Sequence, residues 1–148
     1  MPYIPIVGPV VALVAWSMIM FLWLYVTRIP AMRRARIDVR SMVGGTERGL
    51  DGVVEDRVQW KAHNYNHLME QPTLFYAICL SLALLGGGDT GINVLLAWLY
   101  VFFRVVHSLI QATVNVVVWR FLVFALASLC LIGLTVHAAA MVIRAGIW

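Results

Sequence analysis

Four long apolar stretches constrain this chain more than any other feature. They run from Val7 to Val26, Leu68 to Leu85, Ile92 to Ile110 and Val116 to Ile143. A helix rises about 1.5 Å per residue, so roughly 20 apolar residues cross about 30 Å of hydrocarbon. Each stretch is near or above that length, and the last is long enough to tilt or protrude. Unbroken apolar runs favour helices over the short alternating segments of a β-barrel. Only 12 % of the residues are charged, about half the share found in soluble domains. The chain therefore reads as one all-α membrane domain over residues 1–148. Its four-transmembrane-helix bundle has expected spans at about 7–27, 60–86, 91–111 and 116–143.

Charge sets the expected orientation. Arg28, Arg33, Arg34, Arg36, Arg40, Arg48, Arg57 and Lys61, eight of the eleven basic residues, lie between the first and second spans. The positive-inside rule places this loop, about residues 28–58, in the cytoplasm. Both termini and the "GGGDTG" turn (Gly86 to Gly91) then face outward. The first span has no basic segment before it and arginines after it, which reads as a retained helix rather than a cleaved signal. Pro2, Pro5 and Pro9 are expected to delay that helix until about Val10. "AMRRARIDVR" is either an extension of the first helix or an interfacial helix, and "GGTERGLDG" is a loop. Trp60, Trp119 and Trp148 fall where interfacial anchors belong. Cys79 and Cys130 lie within spans and read as small buried hydrophobes. The basic balance follows from topology, and no aromatic or groove-binding motif points to nucleic acid.

Against this background "HNYNHLMEQPTLFYA", residues 63–77, stands out. His63, His67 and Glu70 are spaced by four and three, so they share a helical stripe, with Asn66 beside them. Arg104, His107 and Gln111 form a similar stripe in the third span, and Arg120 opens the fourth. Pro72 is expected to kink the second helix near its cytoplasmic end. All these residues fall toward the cytoplasmic side, where Glu70 is expected to oppose Arg104 and Arg120. Ionisable groups within membrane spans are costly and mark functional sites by default. Two readings follow: a buried salt-bridge network that fixes helix register, or a polar cavity for an anionic ligand shared by Glu70, Arg104, His107 and Arg120. His63 and His67 with Glu70 have usable metal spacing, but no second histidine pair or cysteine group completes a ligand set; His107 could, but Arg104 one turn away disfavours a cation.

These residues resemble a known family. Four spans, a basic first loop, Glu-x-Pro at the head of span two and "RVVHSL" (Arg104 to Leu109) are similar to MAPEG, the membrane-associated proteins in eicosanoid and glutathione metabolism. Arg120, thirteen residues beyond His107, matches the spacing of the arginine that contacts the glutathione thiol in that family's transferase and prostaglandin synthase branch. His63 and His67 stand where the family carries arginine and asparagine, Gln111 replaces a tyrosine and Phe121 a serine, so the chain resembles the bacterial branch more. The resemblance implies a glutathione-dependent transferase or peroxidase acting on apolar electrophiles or lipid hydroperoxides. Arg120 would then be catalytic, with Arg28, His67, Glu70, Arg104, His107 and Gln111 binding glutathione. It further implies a homotrimer in the bacterial inner membrane, surrounded by lipid, with sites between subunits and periplasmic termini. The alternative is a non-catalytic lipid-binding or scaffold protein on the same fold.

Overall fold

Four helices account for nearly all of the computed structural model, which describes residues 4–38, 50 and 52–146. They are α1 (Val7–Arg34), α2 (Asp56–Leu84), α3 (Gly91–Thr113) and α4 (Val117–Arg144). α1, α3 and α4 are long and apolar enough to cross a membrane. α2 spans 29 residues, but the polar stretch from His63 to Gln71 dilutes its N-terminal half. Its C-terminal half is apolar and supplies Phe75, Cys79 and Leu82 to the core.

The helix ends differ from expectation in instructive ways. α1 begins at Val7 rather than Val10, with Pro9 in its first turn. The first N–H groups of a helix have no internal partner, so proline there forfeits nothing. α1 then continues through Pro30 to Arg34, which makes the basic stretch an extension of the helix. α2 begins at Asp56 and runs unbroken through Pro72. Trp148, Pro2 and most of the glycine-rich loop lie outside the described residues.

Contacts at the helix ends define an up-and-down bundle. At one end Ile6 N–H donates to the Gly88 carbonyl at 3.0 Å, and a Cβ on Gly87 would meet Met141 of α4. The start of α1, the α2–α3 turn and the end of α4 therefore lie together. At the other end Asn64 of α2 meets Ser108 of α3, and Lys61 lies over the Trp23 ring of α1. α3 packs most extensively on α4 and α1 on α2, while α1 and α4 scarcely touch. The core holds Leu13, Phe75, Tyr100, Ala127 and Leu134 at its centre. Cys79 and Cys130 are buried and unbridged.

Burial is inverted relative to a soluble protein. Val11, Leu22, Leu84, Leu129, Ile132 and Val136 are exposed, while Ser17, Asn64, Asn93, Arg104, Ser108 and Gln111 are buried. In lipid an apolar exterior costs nothing and polar groups turn inward to find partners. The chain is an integral membrane protein of helical-bundle type.

Gly86 and Gly88 make the α2–α3 turn. Gly86 takes φ +79°, and Gly87 N–H reaches back to the Leu82 carbonyl at 2.8 Å while Gly86 N–H reaches Ala83. This is a Schellman closure, in which the left-handed residue favours glycine. A Cβ on Gly88 would stand 2.7 Å from the Ile4 side chain and 3.0 Å from the Ala83 backbone. Gly88→Ala is expected to lower stability by about 1–3 kcal/mol through this overpacking, measured as a lower thermal unfolding midpoint in detergent.

Candidate functional site

Rotation of α2 about its axis decides which polar side chains meet. Its inward stripe is Asn64, Leu68, Phe75, Cys79 and Leu82, all buried, spaced by four, seven, four and three as one helix face requires. His63 and Glu70 sit more than about 100° from the centre of that stripe, and His67 lies at its flank, about 85° away. His63 is exposed. Glu70 is 68 % exposed at the side chain, and its carboxylate accepts from His67 Nδ1 at 2.8 Å. It forms no ion pair with Arg104 or Arg120, against the expected pairing, and it does not line the cavity at Arg120. An ion pair this open to its surroundings contributes little. Glu70→Gln is accordingly expected to change unfolding stability by less than about 1 kcal/mol, rather than the roughly 3–5 kcal/mol of a broken buried pair.

The α3 stripe forms as its spacing predicts, with Arg104, His107, Ser108 and Gln111 all buried. Arg104 is fully enclosed. Its Nη2 donates to the His67 carbonyl at 2.8 Å, and its guanidinium carbon lies 5.5 Å from the Phe124 ring centroid. Nε and Nη1 of Arg104 have no hydrogen-bond partner among the described residues. His107 is held at both nitrogens: Nδ1 lies 2.9 Å from the Arg120 backbone carbonyl and Nε2 3.1 Å from the Gln111 side-chain amide. A neutral imidazole has one N–H. With that proton at Nδ1 donating to the carbonyl, Nε2 accepts, and the Gln111 amide turns its NH2 toward it.

The α3–α4 turn positions Arg120. Asn115 takes φ +53°, a left-handed conformation that asparagine tolerates better than most residues. Its side-chain oxygen accepts from Arg120 Nη1 at 2.5 Å. Arg120 Nε has no partner among the described residues. Arg120 lines a cavity of about 220 Å³ with His67, His107, Val117, Phe121 and Phe124. Phe124 stacks on the His67 ring at 5.4 Å between centroids, and the His67 and His107 rings are 5.0 Å apart. Arg104, beside the Phe124 ring, does not line the cavity. Arg28 lines a separate groove on α1 with Leu24, Tyr25, Ile29 and Met32. Among the described residues no cluster of three or more metal-ligating side chains forms.

Two polar connections escaped the sequence reading. Gln71 Nε2 donates to Ser128 Oγ at 2.9 Å and its side-chain oxygen accepts from Tyr100 at 3.3 Å, tying α2 to α3 and α4. Its signal was a place seven residues beyond Asn64, on the same inward face. At the opposite end of the bundle Asn93 bonds the Gly87 carbonyl at 2.8 Å and His137 Nδ1 at 2.6 Å. A polar residue inside an apolar span must find a partner, and that rule alone would have singled out both.

The bundle and its arginine–histidine cavity define a four-helix integral membrane protein with a cationic polar site toward the end that carries the α3–α4 turn. The MAPEG family model matches residues 6–140, and the chain belongs to the MAPEG family. Comparison with curated proteins and with solved structures gives no match.

Proposed function

We propose that the protein is a glutathione-dependent transferase or peroxidase of bacterial type, acting on apolar electrophiles or lipid hydroperoxides. The observation that carries this reading is Arg120. Its guanidinium lines a cavity with an aromatic wall and, among the described residues, bonds only a neutral amide and retains an unmatched Nε. Arg120 is half-buried, and among the described residues no carboxylate pairs with it, which favours an anion brought by a ligand. The thiolate is the nucleophilic form of glutathione, and a guanidinium at low effective dielectric stabilises it against the thiol. In the transferase reaction the thiolate forms a carbon–sulfur bond as the electrophile's leaving group departs with its electron pair. His67 and His107 line the same space, Gln111 bonds His107, and the buried Arg104 adds positive potential beside Phe124. On this reading Glu70, bonded to His67 but outside the cavity of a single subunit, takes the γ-glutamyl amine where a neighbouring subunit extends the site.

One subunit's cavity of about 220 Å³ is smaller than the roughly 300–1,000 Å³ of ordinary ligand sites. Its rim residue Phe121 is 67 % exposed, as are its neighbours Val117 and Val118. An adjoining subunit would enlarge the site and bring Arg28, which faces outward on α1, toward a glutathione carboxylate. The proposed assembly is a homotrimer with sites between subunits, embedded in the bacterial inner membrane with both termini periplasmic. Native mass spectrometry in mild detergent is expected to give the mass of three chains; monomer or dimer alone contradicts the trimer.

Thermal unfolding in detergent with increasing glutathione tests the function. A saturable rise in midpoint is expected, because a ligand that binds only the folded form stabilises it. No rise would favour a non-catalytic lipid-binding or scaffold role, to which the outward Glu70 and the Gln111–His107 bond are equally suited.

A further inference from the structure

A second cavity, of about 520 Å³, lies between the end of α1 and the start of α2. Val26, Thr27, Pro30, Ala31, Arg34, Val53, Val54, Glu55 and Val58 are among its lining residues. It shares no residue with the Arg120 cavity, so nothing argued about it rests on the glutathione reading.

Three features of this cavity specify a ligand. The first is depth. α1 has 28 residues, about 42 Å of helix against about 30 Å of hydrocarbon. The excess corresponds to roughly its last eight residues, which places Thr27–Arg34 at the level of lipid headgroups with Val26 at their edge. The second is charge. Arg34 and Glu55 both line the cavity and both are exposed, and they do not bond each other. One cavity thus presents a guanidinium and a carboxylate, each with hydrogen-bonding capacity to spare. The third is a backbone acceptor. Pro30 has no N–H, so the Val26 carbonyl lacks the donor that an uninterrupted helix would supply. Val26 and Pro30 both line the cavity, with apolar Val53, Val54 and Val58 beside them.

We propose that this cavity binds the headgroup and upper acyl chain of a zwitterionic phospholipid with a primary amine, phosphatidylethanolamine in chemical class. Arg34 takes the phosphate through charge-assisted N–H donation. The ammonium donates to the Glu55 carboxylate and the Val26 carbonyl, while the valines cover the acyl chain. An anionic lipid would leave Glu55 facing like charge. A choline headgroup carries no N–H to donate.

The experiment measures thermal unfolding of the full chain in mild detergent against added dilauroyl phosphatidylethanolamine, its phosphatidylglycerol and phosphatidylcholine counterparts, and free phosphoethanolamine. The ethanolamine lipid is expected to raise the midpoint at concentrations about tenfold lower than the other two lipids, with no response to phosphoethanolamine alone. Arg34→Gln and Glu55→Gln should each weaken that response about tenfold or more. Val58→Trp, which fills the cavity without touching either charge, should abolish it. The lipid-free midpoint of each variant reports its folding, and Val58→Trp decides the matter should a charge variant unfold. Equal responses to all three lipids, or an undiminished ethanolamine response in Val58→Trp, would overturn the assignment. A response to phosphoethanolamine matching that to the lipid would overturn it too, marking a site for a soluble headgroup.

Discussion

Replacing Arg120 by alanine is expected to lower glutathione-dependent turnover by about 10²–10³-fold, the usual loss when one charge-stabilising donor is removed from a reacting centre. Folding should survive. The side chain's one hydrogen bond is to Asn115 in the α3–α4 turn, and His107 bonds the backbone carbonyl of residue 120, which the substitution leaves in place. The loss should persist in turnover of an apolar chloronitroarene measured at saturating glutathione, because the role proposed for the guanidinium is to hold the reacting sulfur as thiolate. Arg120→Lys should recover part of it, since an ammonium keeps the charge but not the planar fork that Asn115 holds. Full turnover in Arg120→Ala would remove this residue from the chemistry.

The largest effect on stability is expected at Phe75. Its ring is fully buried and stacks on Tyr100 with centroids 4.3 Å apart and planes 13° from parallel. Truncation to alanine opens a cavity where α2 meets α3 and loosens the ring whose hydroxyl bonds Gln71. Phe→Ala in a packed interior costs about 3–5 kcal/mol. Helices separated in lipid still cover a phenylalanine with hydrocarbon, so packing rather than transfer is lost, and the lower end of that range applies. Leu74 is the internal control: it precedes Phe75 in α2 but is 62 % exposed, and Leu74→Ala should stay within about 0.5 kcal/mol. Unfolding titrations of both variants in mixed micelles, with similar losses for the two, would contradict the assignment of α2's inner face.

That inner face marks the line between what was legible in the sequence and what was not. The apolar stretches give the bundle directly, because bilayer thickness fixes the length of a crossing helix. The α3 stripe of Arg104, His107 and Gln111 was legible for a related reason. It interrupts an otherwise apolar helix, and α3 must hide it from lipid, so spacing alone settles its direction. α2 offered no such contrast. Its N-terminal half carries polar residues around much of its circumference, so either the Asn64 or the His67–Glu70 face could turn inward. Packing chose Asn64, whose amide reaches Ser108 at 2.7 Å, and Glu70 was left outside. Helix boundaries were less legible still. Pro9 falls where a helix start absorbs it, and α1 continues through Pro30 to Arg34, so neither ends the helix as an isolated proline would suggest. The position of Arg120 depended on the left-handed turn at Asn115, a signal that asparagine between two spans carries only weakly.

The most direct measurement of the account is the ultraviolet difference spectrum of the purified protein at neutral pH with glutathione, against the same protein with S-methylglutathione. The methylated peptide offers the same carboxylates and amine but has no thiol to ionise. Thiolate absorbance is expected to saturate with glutathione in the parent protein and to disappear in Arg120→Ala. Absence of that band in the parent protein, or its persistence in Arg120→Ala, would contradict the account.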